Sequence, residues 1–164
     1  MNTITDLRSA LERLKEVHGQ YAETDVSVKP HAEISGIYRY VGAGGTVMRP
    51  TKKGPALMFN HVEGHEGARV LIGLLASRER VGYLLDEDPK RLGFRLNEAV
   101  QHPVDPIVIP PEQAACREVV HLATEPDFDI RKLLPAPTNT PEDAGPYITL
   151  GMCYASDPET GESD

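Results

Sequence analysis

The chain has no tryptophan, and aromatic residues fill only 5% of its 164 positions. A protein that stacks successive nucleic-acid bases needs aromatic platforms, so that class is disfavoured at once. Positive charge is also short, with 17 Lys and Arg against 25 Asp and Glu and a net charge of −8. Such a surface repels phosphate backbones and anionic headgroups; neither nucleic acid nor membrane is an expected partner. No apolar run approaches the roughly 20 residues of a membrane-spanning helix. The opening MNTITDLRSALERL lacks the apolar core of a secretion signal. Two cysteines, Cys116 and Cys153, are too few for a disulfide framework. Reduced thiols and a cytoplasmic location are the expectation.

Hydrophobic residues make up 40% of the chain, enough for a core, and the length allows one domain or one domain plus part of another. Residues 6–18 carry the clearest helical pattern. Asp6 is a cap, Leu7, Ala10, Leu11, Leu14 and Val17 form one stripe, and Gly19 is a stop. Extended chain is expected over 22–28, then a helix opened by Pro30 and running through Tyr40. PALMF at 55–59 and ARVLIGLLA at 68–76 read as buried strands. Ser77 caps a further helix, and Asp88-Pro89 opens another with Leu92, Leu96 and Val100 inward. The proline-rich 103–111 reads as linker with a short edge strand. Beyond it, alternation at 118–122 and the apolar run at 147–155 suggest strands. Strands alternate with helices up to about residue 100, then give way to strands and turns. This predicts an α/β domain over 1–111 and a second unit over 112–164.

Several residue groups invite chemical readings. Gly42, Gly44 and Gly45 fall short of a dinucleotide fingerprint, because its sixth position is Val47. A plain loop is expected there, with Arg49, Lys52 and Lys53 facing solvent. His61 and His65 stand four apart, as zinc-binding histidines on a helix do. But Glu63 does not directly follow the first His, and Gly64 and Gly67 oppose a helix. A solvated loop without a functional metal is expected. Cys153 reads as a small core residue. Asp127, Asp129, Glu142 and Asp143 are acid–base candidates by type only; Asp143-Ala144-Gly145 reads as a turn whose carboxylate bonds local amides.

One stretch answers to no periodic rule: LLPAPTNTPEDAGPYITLGM, residues 133–152. It resembles the loop opening the flavin-binding barrel of UbiD-like decarboxylases. Other segments are similar to that family in the same order: TDLRSALERL, TDVSVKPHAEISGI, GPALMFNHVEGHEG and, after the long stretch, DPETG. IYRYVGAGGTVMRPT and LLPAPTNTP look closest to the branch acting on hydroxybenzoates such as protocatechuate or gallate.

The resemblance implies an N-terminal α/β domain, followed by the opening strands of a split β-barrel that holds prenylated FMN. It implies that Thr149, Leu150 and Gly151 lie at the cofactor. It also implies a divalent metal, Mn or Mg, with or without K, bridging the flavin phosphate. The metal-binding Asn of the family matches Asp164, where an acid oxygen replaces the amide. No catalytic residue is assigned within 1–164, because the family's Glu-Arg-Glu set falls beyond them. The implied partners are a small aromatic acid substrate, a flavin prenyltransferase that supplies the cofactor, and further copies of the whole protein in a homo-oligomer. Residues 1–164 alone are expected to be inactive. Two other classes remain open: a stand-alone binding or subunit module, and an unrelated small α/β ligand-binding domain. A reading frame continuing past Asp164 would separate the first of these from a decarboxylase.

Overall fold

A computed structural model describes residues 4–43, 53–151 and 155–163. Helix α1 spans Leu7–Lys15. Asp6 accepts from the Ser9 amide at 2.8 Å, and Ser9 Oγ accepts from the Asp6 amide at 3.1 Å, closing a reciprocal cap. Ala10 and Leu14 are buried, as the stripe predicted, whereas Leu7 is exposed. Gly19, at φ 76°, then turns the chain into β1, Tyr21–Thr24.

The second helix, α2, spans Glu33–Tyr38 and continues as a π-turn over Arg39–Ala43. It starts later than Pro30 predicted. Ala32 sits at φ 62°, a left-handed conformation through which no helix runs. Strand β2, Ala56–Phe59, pairs parallel with β1 and antiparallel with β3, Val70–Ile72. This three-stranded sheet, in the order β1-β2-β3, leaves β3 at an edge. The strand expected over 68–76 is thus only three residues long; Gly73, at φ 76°, ends it.

Side chains alternate across β2. Leu57 and Phe59 face a core made with Val28, Ile34 and Val62, flanked by Ile37, Val70 and Ile72. Helix α3, Arg78–Leu85, is capped by Ser77, whose Oγ accepts from the Arg80 amide. Helix α4, Leu92–Gln101, begins four residues after Asp88, which instead bonds the Lys90 amide. Leu92 is buried, but Leu96 is 55% and Val100 76% exposed, so the predicted inward face covers nothing in the described chain.

Past residue 101 regular structure thins. Two 3₁₀ turns, Pro111–Gln113 and Ala115–Arg117, precede the one-turn helix α5, Ile130–Leu133. The strands expected near 107–109, at 118–122 and over the described part of 147–155 do not form. Their apolar side chains are exposed, Val108 and Ile148 among them. A strand needs a neighbour to take its backbone bonds in a continuous ladder, and among the described residues these segments form none; the Tyr147 amide reaches only the Pro137 carbonyl. Among the described residues no helix is long and apolar enough to cross a membrane.

Candidate functional site

A groove of about 260 Å³ runs along the open edge of the sheet. One wall is β3 with Arg69 before it. The other is built from 134–137, Asn139 and 147–150. The walls are mainly aliphatic: Val70, Leu71 and Ile72 face Leu134, Pro135, Ile148 and Leu150. Arg69, Asn139, Tyr147 and Thr149 bring polar groups to it. The sequence predicted Thr149, Leu150 and Gly151 as a group. Thr149 and Leu150 both line this groove from a turn, and Gly151 follows directly. Asp164 and Cys153 lie outside the described residues.

The loop 135–147 is fixed by backbone bonds. Thr138 is buried; its amide donates to the Pro30 carbonyl at 3.0 Å and its carbonyl accepts from the Ala32 amide at 2.8 Å. These bonds hold Ala32 in its left-handed conformation. The Tyr147 amide donates to Pro137 at 2.9 Å, closing the loop on itself. Asp143 accepts from the Thr140 amide at 2.9 Å and the Thr140 hydroxyl at 3.0 Å, the turn chemistry its sequence suggested. The Thr140 amide is the main reason its carboxyl titrates below the ordinary 3.8.

Other candidates are placed elsewhere. His61 and His65 lie on a pair of tight turns, with Gly64 at φ 81° and Gly67 at φ 73°. His65 Nδ1 lies 3.1 Å from the Lys132 carbonyl. Asp129 caps α5 and forks onto Arg131, which draws its pKa down to about 2. Lys53 pairs with Glu79 beside a larger hollow, of about 570 Å³, at the start of α3. Its charges are of mixed sign, and Asp88 is occupied by the Lys90 amide. Arg49, Lys52 and the glycines Gly44 and Gly45 lie outside the described residues.

The sequence reading missed two contributors. Ser35 is buried in α2, and its Oγ donates to Asn139 Oδ1 at 2.7 Å. Arg80 is fully buried beneath the sheet's entry loops. No local pattern marks either residue, because Ser35 bonds a residue 104 positions away and Arg80 reaches Gly54, 26 positions away.

Residues 11–100 match the 3-octaprenyl-4-hydroxybenzoate carboxy-lyase N-terminal domain, UbiD_N. The chain belongs to the UbiD family. Residues 108–164 match that family's Rift-related domain. This UbiD-family chain is 54% identical over 159 residues to a gallate decarboxylase of Lactiplantibacillus plantarum, covering 97% of the chain and 32% of that protein. Its fold is similar to an apo 3,4-dihydroxybenzoic acid decarboxylase from Enterobacter cloacae. The TM-score is 0.91 at 55% identity, covering 99% of this chain and 34% of the other. It is also similar to an evolved dimeric form of the UbiD-class enzyme HmfF from Pelotomaculum thermopropionicum, solved with prFMN. There the TM-score is 0.78 at 27% identity, covering 96% of this chain and 34% of that one. The chain thus spans about a third of the length of the relatives it matches.

Proposed function

We propose that the whole protein is a non-oxidative decarboxylase of hydroxylated aromatic acids, such as protocatechuate, gallate or 4-hydroxybenzoate. The observation that carries this reading is the 54% identity to a gallate decarboxylase across nearly the whole chain. The groove supports it. Aliphatic walls suit a planar ring, and hydroxyl, amide and guanidinium groups suit oxygens at a ring's edge. Its residues therefore fit a flavin. In this reading Thr149, Leu150 and Gly151 lie beside prenylated FMN, the boundary near residue 112 separates an α/β domain from the start of a split β-barrel, and Asp164 takes part in holding Mn or Mg, with or without K. An acid oxygen suits either divalent ion.

When bound, the prenylated flavin supplies an electrophilic centre that holds the electrons released as carbon dioxide leaves. The residues here bind and orient. Leu150, Ile148 and β3 would offer the ring an apolar surface. Thr149 offers a hydroxyl, and Arg69 offers a cation to a negatively charged group. Flavin prenyltransferase supplies the cofactor, and the whole protein works as a cytoplasmic homo-oligomer.

The test is to produce the whole protein together with a flavin prenyltransferase and follow carbon dioxide release from the three acids. Equal turnover without the prenylated cofactor sinks the mechanism. No turnover of any phenolic acid, with cofactor bound, removes the substrate class. Asp164→Ala should lower metal and cofactor occupancy together, and Asp164→Asn should be milder, because an amide oxygen still coordinates.

A further inference from the structure

We propose that Asn139 donates its side-chain amide N–H to an oxygen at the edge of a planar ligand in the groove, and that Ser35 is the positioning residue that turns the amide that way. The inference rests on the reading of this groove as part of the flavin site.

The amide group of Asn139 has two ends of opposite character, an accepting oxygen and a donating NH₂. Ser35 Oγ donates to the oxygen at 2.7 Å. Among the described residues nothing takes Nδ2. Asn139 nevertheless lines the groove, so a donor is what it has left to offer a ligand there. Ser35 is well placed to hold that orientation. It is buried in α2, whose Ile34 belongs to the core, so the hydroxyl is carried on a rigid element. The next residue back in the loop is fixed too, since Thr138 bonds both Pro30 and Ala32 through its backbone. The left-handed backbone at Ala32 persists because these contacts over-determine it. A donor preset in this way loses little freedom when a ligand arrives.

The ligand chemistry is a planar ring bearing a hydrogen-bond-accepting oxygen. Both a flavin carbonyl and the oxygens of a hydroxybenzoate answer to it, and two measurements separate them. Asn139→Asp is the informative variant. It keeps an oxygen for Ser35 but exchanges the donor for a second, anionic oxygen. The new anion lies near Asp143, so a purely structural Asn139 registers the change in melting temperature alone, whereas a ligand donor registers it in binding.

In the whole apo-protein, FMN affinity is read from quenching of flavin fluorescence. In the reconstituted enzyme, KM is read for protocatechuate. Asn139→Asp is expected to weaken one of the two about tenfold or more, because a donor is lost and an anion is set against the ligand oxygen. A change in FMN affinity assigns the oxygen to the flavin, and a change confined to KM assigns it to the acid. Ser35→Ala is expected to give a smaller loss in the same quantity, and Ser35→Thr to restore it. Should Asn139→Asp fail to fold, Ser35→Ala carries the test alone. Folded variants with both quantities within about twofold of the parent overturn the proposal. Leu150→Glu distinguishes that failure from failure of the site itself. If it leaves FMN affinity intact, the groove is not the flavin site; if it abolishes binding while Asn139→Asp does nothing, only the role of Asn139 falls.

Discussion

Arg80 closes both ends of its guanidinium on one oxygen: Nη1 and Nη2 each donate to the Gly54 carbonyl at 2.9 Å. Its Nε donates to the Leu74 carbonyl at 3.0 Å. The side chain is fully buried, with backbone oxygens rather than a carboxylate around it among the described residues. Burial pushes its pKa down, and the contacts with Tyr38 oppose that. Arg80 thereby joins α3 to the entry of β2 and the turn after β3. Arg80→Ala should destabilise by about 3 kcal/mol or more, since each stranded carbonyl costs ~1–3 kcal/mol. Arg80→Lys should recover only part of this, because one ammonium cannot occupy all three donor positions. Urea denaturation checks both; a lysine variant as stable as the parent would show that charge alone suffices.

Gly73 meets the ring of Tyr38. A Cβ there would overlap the ring, and the backbone is at φ 76°. Gly73→Ala therefore faces two separate costs. The left-handed conformation costs about 1 kcal/mol for a residue with a Cβ, and overpacking adds ~1–3 kcal/mol. Gly64, also left-handed but with open space around it, should show only the first. A melting comparison of the two alanine variants separates strain from crowding, and equal losses would refute the contact.

The contrast between those glycines bears on what the sequence could tell. Local chemistry was legible. The Asp6 cap, the Ser77 cap and the Asp143 turn each join residues three apart, and all three formed. Long-range geometry was not. Leu96 and Val100 have helical spacing, but spacing says only that a face exists, not that anything covers it. The alternation at 118–122 and the apolar run at 147–155 suit strands, but no ladder forms in their described residues. Ser35 and Asn139 are 104 residues apart, and no pattern in either segment encodes their bond. Thr149 and Leu150 were identified from family resemblance. Their place beside β3 depends on the loop fold, which the sequence alone did not give.

Asp143 supplies a pH test of the loop beside the groove. Its carboxyl is held below the ordinary 3.8, first by the Thr140 amide and then by the Thr140 hydroxyl. A depressed folded value means the bonds contribute fully above the unfolded pKa and are lost as pH falls through the folded one. The loop should thus be unaffected near neutrality and loosen only below pH 3.8. Carboxyl carbon shifts followed by NMR give the midpoint directly. A midpoint at or above the ordinary value would mean that the Thr140 bonds do not persist in solution. Asp143→Asn should remove this transition.

The segment after α4 carries the last expectation. Val104, Ile107 and Val108 are 92%, 88% and 93% exposed, and Phe94 and Val100 on α4 are also exposed. Burying such a side chain gains ~1.5–3 kcal/mol, and soluble monomers rarely leave apolar groups together in water. Residues 1–164 produced alone should therefore self-associate. The groove should also retain no flavin in that preparation, since it is open along its length and borders the free edge of β3. Sedimentation over a range of concentrations reads the first, and the visible absorbance band reads the second. Changing Ile107 to Lys and Val108 to Glu should reduce association while leaving the melting temperature in place, because neither side chain packs against the described core. A drop in melting temperature would instead place these residues inside the folded unit. A chain that stays monomeric and yellow would refute both halves of the expectation.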